Sequence, residues 1–263
     1  MRRTACMPFI FVLLLASRLG AATEFDELDK PPEGAHRGQM LLGAFVSIGV
    51  PFGDVIDAES EFLKDSYYIF PNGTAKLIEV SHLSFGFGVS FEYMPMDYVG
   101  VKARLRRSSI TQRSNFGTDY ESFSGALYKD VSFYVGPSFH TTMRKRWDFT
   151  LTPLVGYAVG VFHAAPVGSE ILENYISGAK LTGETERKTN GLTYGAELNC
   201  TIYFSGGLFI SLGGEWLRNT LSFDPAFSIT NPQQPGKVYL DGKTSGTIDS
   251  ASFILTAGYA FSN

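Results

Sequence analysis

A small set of charged or titratable residues sits inside otherwise apolar stretches of this 263-residue chain: Glu92, Lys102, Arg104, Arg106, His140, Glu197 and Glu215. Bases, acids and an imidazole are the inventory of an ion-pair network. A charge withdrawn from water is tolerated only when an opposite charge and hydrogen bonds hold it. Such a network has two uses. It can gate a narrow water path, or it can fill the interior of a sheet closed on itself, where eight strands leave a space only wide enough for side chains.

Other chemistry is sparse. His82, His140 and His163 are isolated, and there is no HExxH pattern and no Cys/His cluster at metal-ligand spacing. No metal and no cofactor are expected. The glycines follow a strand period and form no phosphate-cradling loop. His82 and Ser84 share one face of their segment, but nothing completes a nucleophile, base and orienting group. No catalytic residue is therefore assigned. Asn72-Gly73-Thr74 has the form of a glycosylation acceptor and is read here as a turn. Cys6 and Cys200 are the only cysteines.

The elements that position the charged residues have a period of two. Leu83, Phe85, Phe87, Val89, Phe91 and Tyr93 alternate with Ser84, Gly86, Gly88, Ser90 and Glu92. Alternate residues of a strand point to opposite faces, so one face is greasy and the other small or polar. Further stripes begin at Leu42, Val99, Val131, Phe149, Tyr194, Leu208 and Ala251, for eight strands in all. Short connections fall at Pro95-Met96-Asp97, Arg144-Lys145-Arg146 and Ser205-Gly206-Gly207, as tight hairpin turns. Long polar connections fall at roughly 52–81, 107–125, 164–190 and 219–247. Alternating short and long connections fit a barrel with short turns at one membrane face and long loops at the other. Pro137 and Pro153 interrupt adjacent strands at equal distances from the turn at Lys145. Proline cannot donate to a ladder, so a local gap is expected where they face each other.

Composition narrows the class. The chain is 44% hydrophobic, 14% aromatic and 18% charged, with 22 Lys+Arg against 26 Asp+Glu. Nothing basic accumulates, which argues against nucleic acid as a partner. No run of about 20 apolar residues follows the N-terminus, so a helical membrane bundle is excluded. Arg2 and Arg3, the apolar run Met7 to Ala16 and the small residues Gly20, Ala21 and Ala22 form a signal-peptide pattern. The expected organisation is a signal peptide at 1–22, a polar leader at 23–38 and a β-barrel domain at 39–263. Cys6 leaves with the signal, so no disulfide is available to the mature chain.

Periodicity alone does not say which face is greasy outside. A soluble barrel buries its apolar face and a membrane barrel exposes it. Mid-strand charges beside small residues suit a crowded lumen. Tyr93, Tyr98, Phe139, Trp147, Phe149, Phe204, Tyr259 and Phe261 gather beside the short turns, as an aromatic girdle at a membrane interface would. The eight segments, the signal pattern and the final Gly258-Tyr259-Ala260-Phe261 resemble the small outer-membrane barrels of the OmpA, OmpX and OmpW type. In that family's last strand, apolar residues alternate and an aromatic closes the strand. Phe253, Leu255, Tyr259 and Phe261 match that, while Ser262 and Asn263 trail beyond it.

The resemblance implies an all-β, eight-stranded antiparallel up-and-down transmembrane barrel in a bacterial outer membrane. It implies a porin-like, non-enzymatic protein: a narrow channel for small or apolar solutes, or a structural and surface-contact protein acting through four long loops. Implied partners are outer-membrane lipid, the barrel assembly machinery during biogenesis, and a small solute or surface ligand at the loops. Two alternatives stand beside it: a soluble secreted barrel holding an apolar ligand, and a lipid-modifying enzyme dependent on His82 or His163.

Overall fold

The computed structural model describes residues 34–64, 67–69, 75–77, 79–115, 123–143, 146–163, 186–223, 229–230, 236, 238–240 and 245–261. The expected signal peptide, most of the leader segment, Asn72-Gly73-Thr74, Arg144, Lys145 and most of the 164–190 connection lie outside them.

Eight long strands form the wall: β1 (Met40–Phe52), β2 (Glu79–Met96), β3 (Val99–Asn115), β4 (Phe123–Met143), β5 (Trp147–His163), β6 (Glu186–Tyr203), β7 (Leu208–Phe223) and β8 (Ser245–Phe261). Each pairs antiparallel with its sequence neighbours, and β1 pairs with β8 from Met40↔Phe261 to Phe52↔Asp249. The barrel is closed, so no strand edge is left unpaired. Both barrel termini lie at the short-turn end, where Met40 is opposite Tyr93 on one side and Phe261 on the other.

The greasy stripes face outward. Phe87, Val135 and Leu198 are 37%, 39% and 59% exposed, whereas Arg104 and Glu197 are 1% exposed each. This inverts the arrangement of a water-soluble barrel. Soluble monomers rarely expose a continuous apolar patch of more than a few hundred Å². Here every strand contributes to one, from Leu42 on β1 round to Phe253 on β8. The physically consistent surroundings are hydrocarbon, in which a closed barrel satisfies every backbone group without water.

The prolines act as their positions demand. The β4–β5 ladder pairs Val135 with Val155 and Phe139 with Leu151, with no pairing recorded between. Pro137 and Pro153 occupy the centre of that gap. A Cβ on Gly136 would lie 1.8 Å from the Pro153 carbonyl oxygen, so only glycine fits where the two backbones meet.

Four local features differ from the sequence reading. The first turn is Asp97-Tyr98, with Tyr98 at φ 68°, because the β2–β3 ladder resumes at Met96↔Val99 after a register shift. The 107–125 connection is largely strand, since β3 runs to Asn115 and β4 starts at Phe123. The 52–81 connection contains a helix, α1 (Asp54–Lys64), followed by a short hairpin of Tyr67–Ile69 and Ala75–Leu77. Val55, Ile56 and Ala58 of α1 are buried against the long-loop end, and Asp54 and Asp57 suit the positive end of the helix dipole. A second hairpin, Ile229–Thr230 with Val238–Leu240, lies in the 219–247 connection.

Candidate functional site

The interior is where chemistry collects. Lys102, Arg104 and Arg106 are successive inward positions of β3, spaced by the strand period. Glu197 on β6 and Glu215 on β7 are inward and cross-strand neighbours of each other. Around the closed sheet, β7 lies diametrically opposite β3 and β6 stands beside it. The ion pairs therefore cross the lumen from wall to wall.

They form one alternating row. Lys102 Nζ is 2.5 Å from Glu197 Oε1, and Arg104 Nη1 is 2.5 Å from Glu197 Oε2. The same Arg104 Nη1 is 3.0 Å from Glu215 Oε2, and Arg106 Nη1 is 3.0 Å from Glu215 Oε1. Asn199 Nδ2 donates to Glu197, and Arg106 Nη2 donates to Ser47 Oγ at 3.3 Å. The Arg104 guanidinium carbon also sits 4.1 Å above the Phe45 ring on β1. Glycine makes room for this row. A Cβ on Gly86 would fall 2.6 Å from Arg106 Nε and 2.7 Å from Ser47 Oγ.

A second cluster lies nearer the short turns. His140 Nε2 is 2.7 Å from Glu92 Oε1, and its Nδ1 is 2.6 Å from Asp148 Oδ2. An imidazolium donates from both nitrogens, and that is the form two facing carboxylates suit. Ser138 Oγ also donates to Glu92, and Thr150 Oγ1 donates to Asp148 at 3.4 Å. Strands β2, β4 and β5 are thus joined through one ring. Between the two clusters is a cavity of about 20 Å³, bordered by Glu92, Lys102, His140, Thr150 and Asn199. That is room for about one water molecule.

The sequence reading expects an interior of glycine, hydroxyl and ionic groups. The structure adds apolar layers at both ends. Ala35, Leu41, Met94, Tyr203, Phe209 and Ala260 form a buried cluster at the short-turn end. Tyr134, Leu154 and Leu217 pack together on the other side of the ion-pair row. Phe162 and Phe223 meet edge to face, 5.7 Å between centroids, nearer the long loops. Residues 34–39 are tied to the first turn: Gly38 N donates to Met94 O at 2.7 Å, and Arg37 N donates to Asp97 Oδ1 at 2.9 Å.

All seven charged residues singled out from sequence line the interior, and all are buried. Asp148 is the partner the sequence reading missed. It lies two positions before Thr150 on the same inward phase, one residue ahead of Phe149, where the apolar stripe begins. Of the aromatic set, Tyr93, Tyr98, Phe139, Trp147, Phe149, Phe204 and Phe261 are exposed beside the short turns. Tyr259 is half-buried, with its ring 4.8 Å from that of Phe261. His82 lies opposite Gln112 in the β2–β3 ladder, with Nε2 3.4 Å from Gln112 Nε2, and Ser84 is buried two residues along. His163 ends β5, opposite Glu186. Among the described residues there is no group of three or more His, Cys, Asp or Glu able to hold a metal ion.

Comparison with known proteins finds no matching family model and no matching curated protein. Solved structures do align over most of the chain. OprG of Pseudomonas aeruginosa, an outer membrane protein, is 14% identical, with a TM-score of 0.46 over 88% of this chain and 100% of its own. Neisserial surface protein A is 9% identical, with a TM-score of 0.46 over 87% and 100%. Ail, the attachment invasion locus protein of Yersinia pestis, is 12% identical, with a TM-score of 0.38 over 86% and 99%. The strand order, the closure and the exposed apolar wall together make this chain, by fold, a closed eight-stranded antiparallel up-and-down β-barrel with its apolar face outward, as in a transmembrane barrel.

Proposed function

We propose that this chain is a bacterial outer-membrane barrel with a closed lumen, serving as a structural and surface-contact protein and not as a channel or an enzyme. The observation that carries the reading is the row of ion pairs joining β3 to β6 and β7 across the interior. A conducting path would have to pass those pairs, which hold one another at hydrogen-bond distance. It would also have to pass the Leu41, Tyr203 and Phe209 layer at one end and the Phe162 and Phe223 layer at the other. A channel for small or apolar solutes needs a continuous lumen, and a cavity of about 20 Å³ supports no such passage. The exposed apolar belt supports lipid as the surrounding medium and disfavours a soluble ligand-binding barrel.

With the lumen filled, the surfaces left for function are the long connections. Loops on a rigid scaffold are where binding tends to reside. During biogenesis the last strand, ending Tyr259-Ala260-Phe261, is the segment proposed to meet the assembly machinery. Planar-bilayer recording tests the closed lumen: no steps above background are expected from the wild-type protein, and a steady single-channel current would refute it. Cell fractionation tests the location, with the protein expected in the outer-membrane fraction.

A further inference from the structure

We propose that the outward-facing cations Arg107, Lys129 and Lys188 form a site for the phosphate groups of membrane lipid, at the long-loop rim of the apolar belt. The inference rests on the membrane reading above. These residues lie on β3, β4 and β6, and all three are exposed. Register places them together. Arg107 is opposite Val131 on β4, Lys129 is opposite Val161 on β5, and Val161 is opposite Lys188 on β6. Arg107 and Lys129 end the apolar runs of their strands, next to Leu105 and Val131 on the outward phase; on β6 the run ends at Leu192, and Asn190 and then Lys188 follow it. Lipid headgroups begin where such a belt ends, and long basic side chains carry their charge to that level along an apolar stem.

The charge has no counterpart within the wall. Asp130, next to Lys129, points inward and accepts from Ser108. Glu186 is the only outward acid among the described residues of β3 to β6, and it lies beyond Lys188, opposite His163. The other side of the barrel shows the contrast. There the outward Arg218 is neutralised by Asp249 through two hydrogen bonds of 2.8 and 2.9 Å. Arg107, Lys129 and Lys188 make no ion pair with any described residue. A lipid phosphate supplies the missing anion and is held in place by its own acyl chains against Leu105, Val131 and Leu192.

The test uses the full chain refolded into neutral detergent micelles, titrated with fluorescent phosphatidic acid and with fluorescent phosphatidylcholine. The wild-type protein is expected to prefer phosphatidic acid, and added salt is expected to weaken that preference. Each basic residue near an anionic headgroup is worth about fivefold at low salt. The R107Q/K129Q/K188Q variant is therefore expected to bind phosphatidic acid at least about tenfold more weakly. The control R37Q/R146Q, altered at the short-turn end, is expected to bind as the wild type does. Equal binding by the triple variant would overturn the site, as would full competition by inorganic phosphate, which would mark a general anion patch. A boiled-versus-unboiled gel shift on each variant separates the two readings. If all variants shift alike and the lipid preference does not change, the lipid site alone fails. If the wild type never enters micelles or bilayers, the membrane reading fails with it.

Discussion

Glu197→Gln is the substitution that best distinguishes a dry, filled lumen from a wet one. Its carboxylate holds Lys102 and Arg104 at 2.5 Å each, and the residue is 1% exposed. The amide preserves shape and removes the charge. Arg104 keeps Glu215, but Lys102 loses the one carboxylate it touches and keeps only the more distant charge of its cross-strand neighbour Glu92. Removing one member of a buried pair costs about 3–5 kcal/mol because the remaining charge is left uncompensated. A pair lying in a water-filled pore would lose only about 0–1 kcal/mol. The two cases are far enough apart for unfolding by urea in detergent, followed as the loss of the folded band on an unboiled gel. A large drop in the midpoint is expected for Glu197→Gln. The double variant K102M/E197Q removes the orphaned cation too and is expected to recover about 2 kcal/mol of the loss, a coupling within the range found for contacting residues. A wild-type midpoint for Glu197→Gln, or no recovery in the double variant, would refute a closed ionic interior.

Three further outcomes follow from the same interior and wall. His140→Ala leaves Glu92 and Asp148 facing each other without the ring between them and is expected to cost about 3 kcal/mol or more in the same unfolding assay; an unchanged midpoint would show that the ring does not join the strands. Gly136→Ala sets a Cβ against the Pro153 carbonyl and is expected to destabilise the barrel by at least about 1–3 kcal/mol, the cost of overpacking, whereas a neutral result would contradict the close approach of the two backbones. Hydrogen exchange in micelles is expected to be faster at Leu151 and Val155, which border the lapse in the β4–β5 ladder, than at Tyr157 and Val159 further along, while Thr152 and Leu154 stay protected by their pairing with Glu197 and Gly195 of β6; uniform protection from Leu151 to Val159 would contradict the gap.

The wall was legible because it obeys a period of two with large side chains on one phase. The stripes from Leu83 to Tyr93 and from Val131 to Phe139 give both the strand and its outward face. The proline gap was legible for a related reason: a missing donor is a property of the residue, and equal distance from a turn fixes the register. The interior was only half legible. Lys102, Arg104 and Glu197 declare themselves as charges on the polar phase, but which acid meets which base depends on strands facing one another across a closed sheet, and nothing local encodes that. The apolar layers escaped for another reason. Leu41, Phe45, Leu154 and Phe209 are inward apolar residues next to outward apolar residues, and a binary pattern does not separate two apolar phases. Asp148 was missed because strand ends are the least certain part of a period-two reading, and the inward phase of β5 begins one residue after its start at Trp147. Helix α1 was hidden in a connection whose polar composition masks the short apolar face of Val55, Ile56 and Ala58.

The chain's two tryptophans, Trp147 and Trp216, offer the most direct test of an outward apolar face without any substitution. They are 45% and 39% exposed, on the outer surfaces of β5 and β7. Reconstituted into bilayers with brominated acyl chains, both should lose fluorescence and resist quenching by aqueous iodide. Strong iodide quenching with no effect of the brominated lipid would mean that water, and not lipid, wets this face, and the barrel would have to be turned inside out.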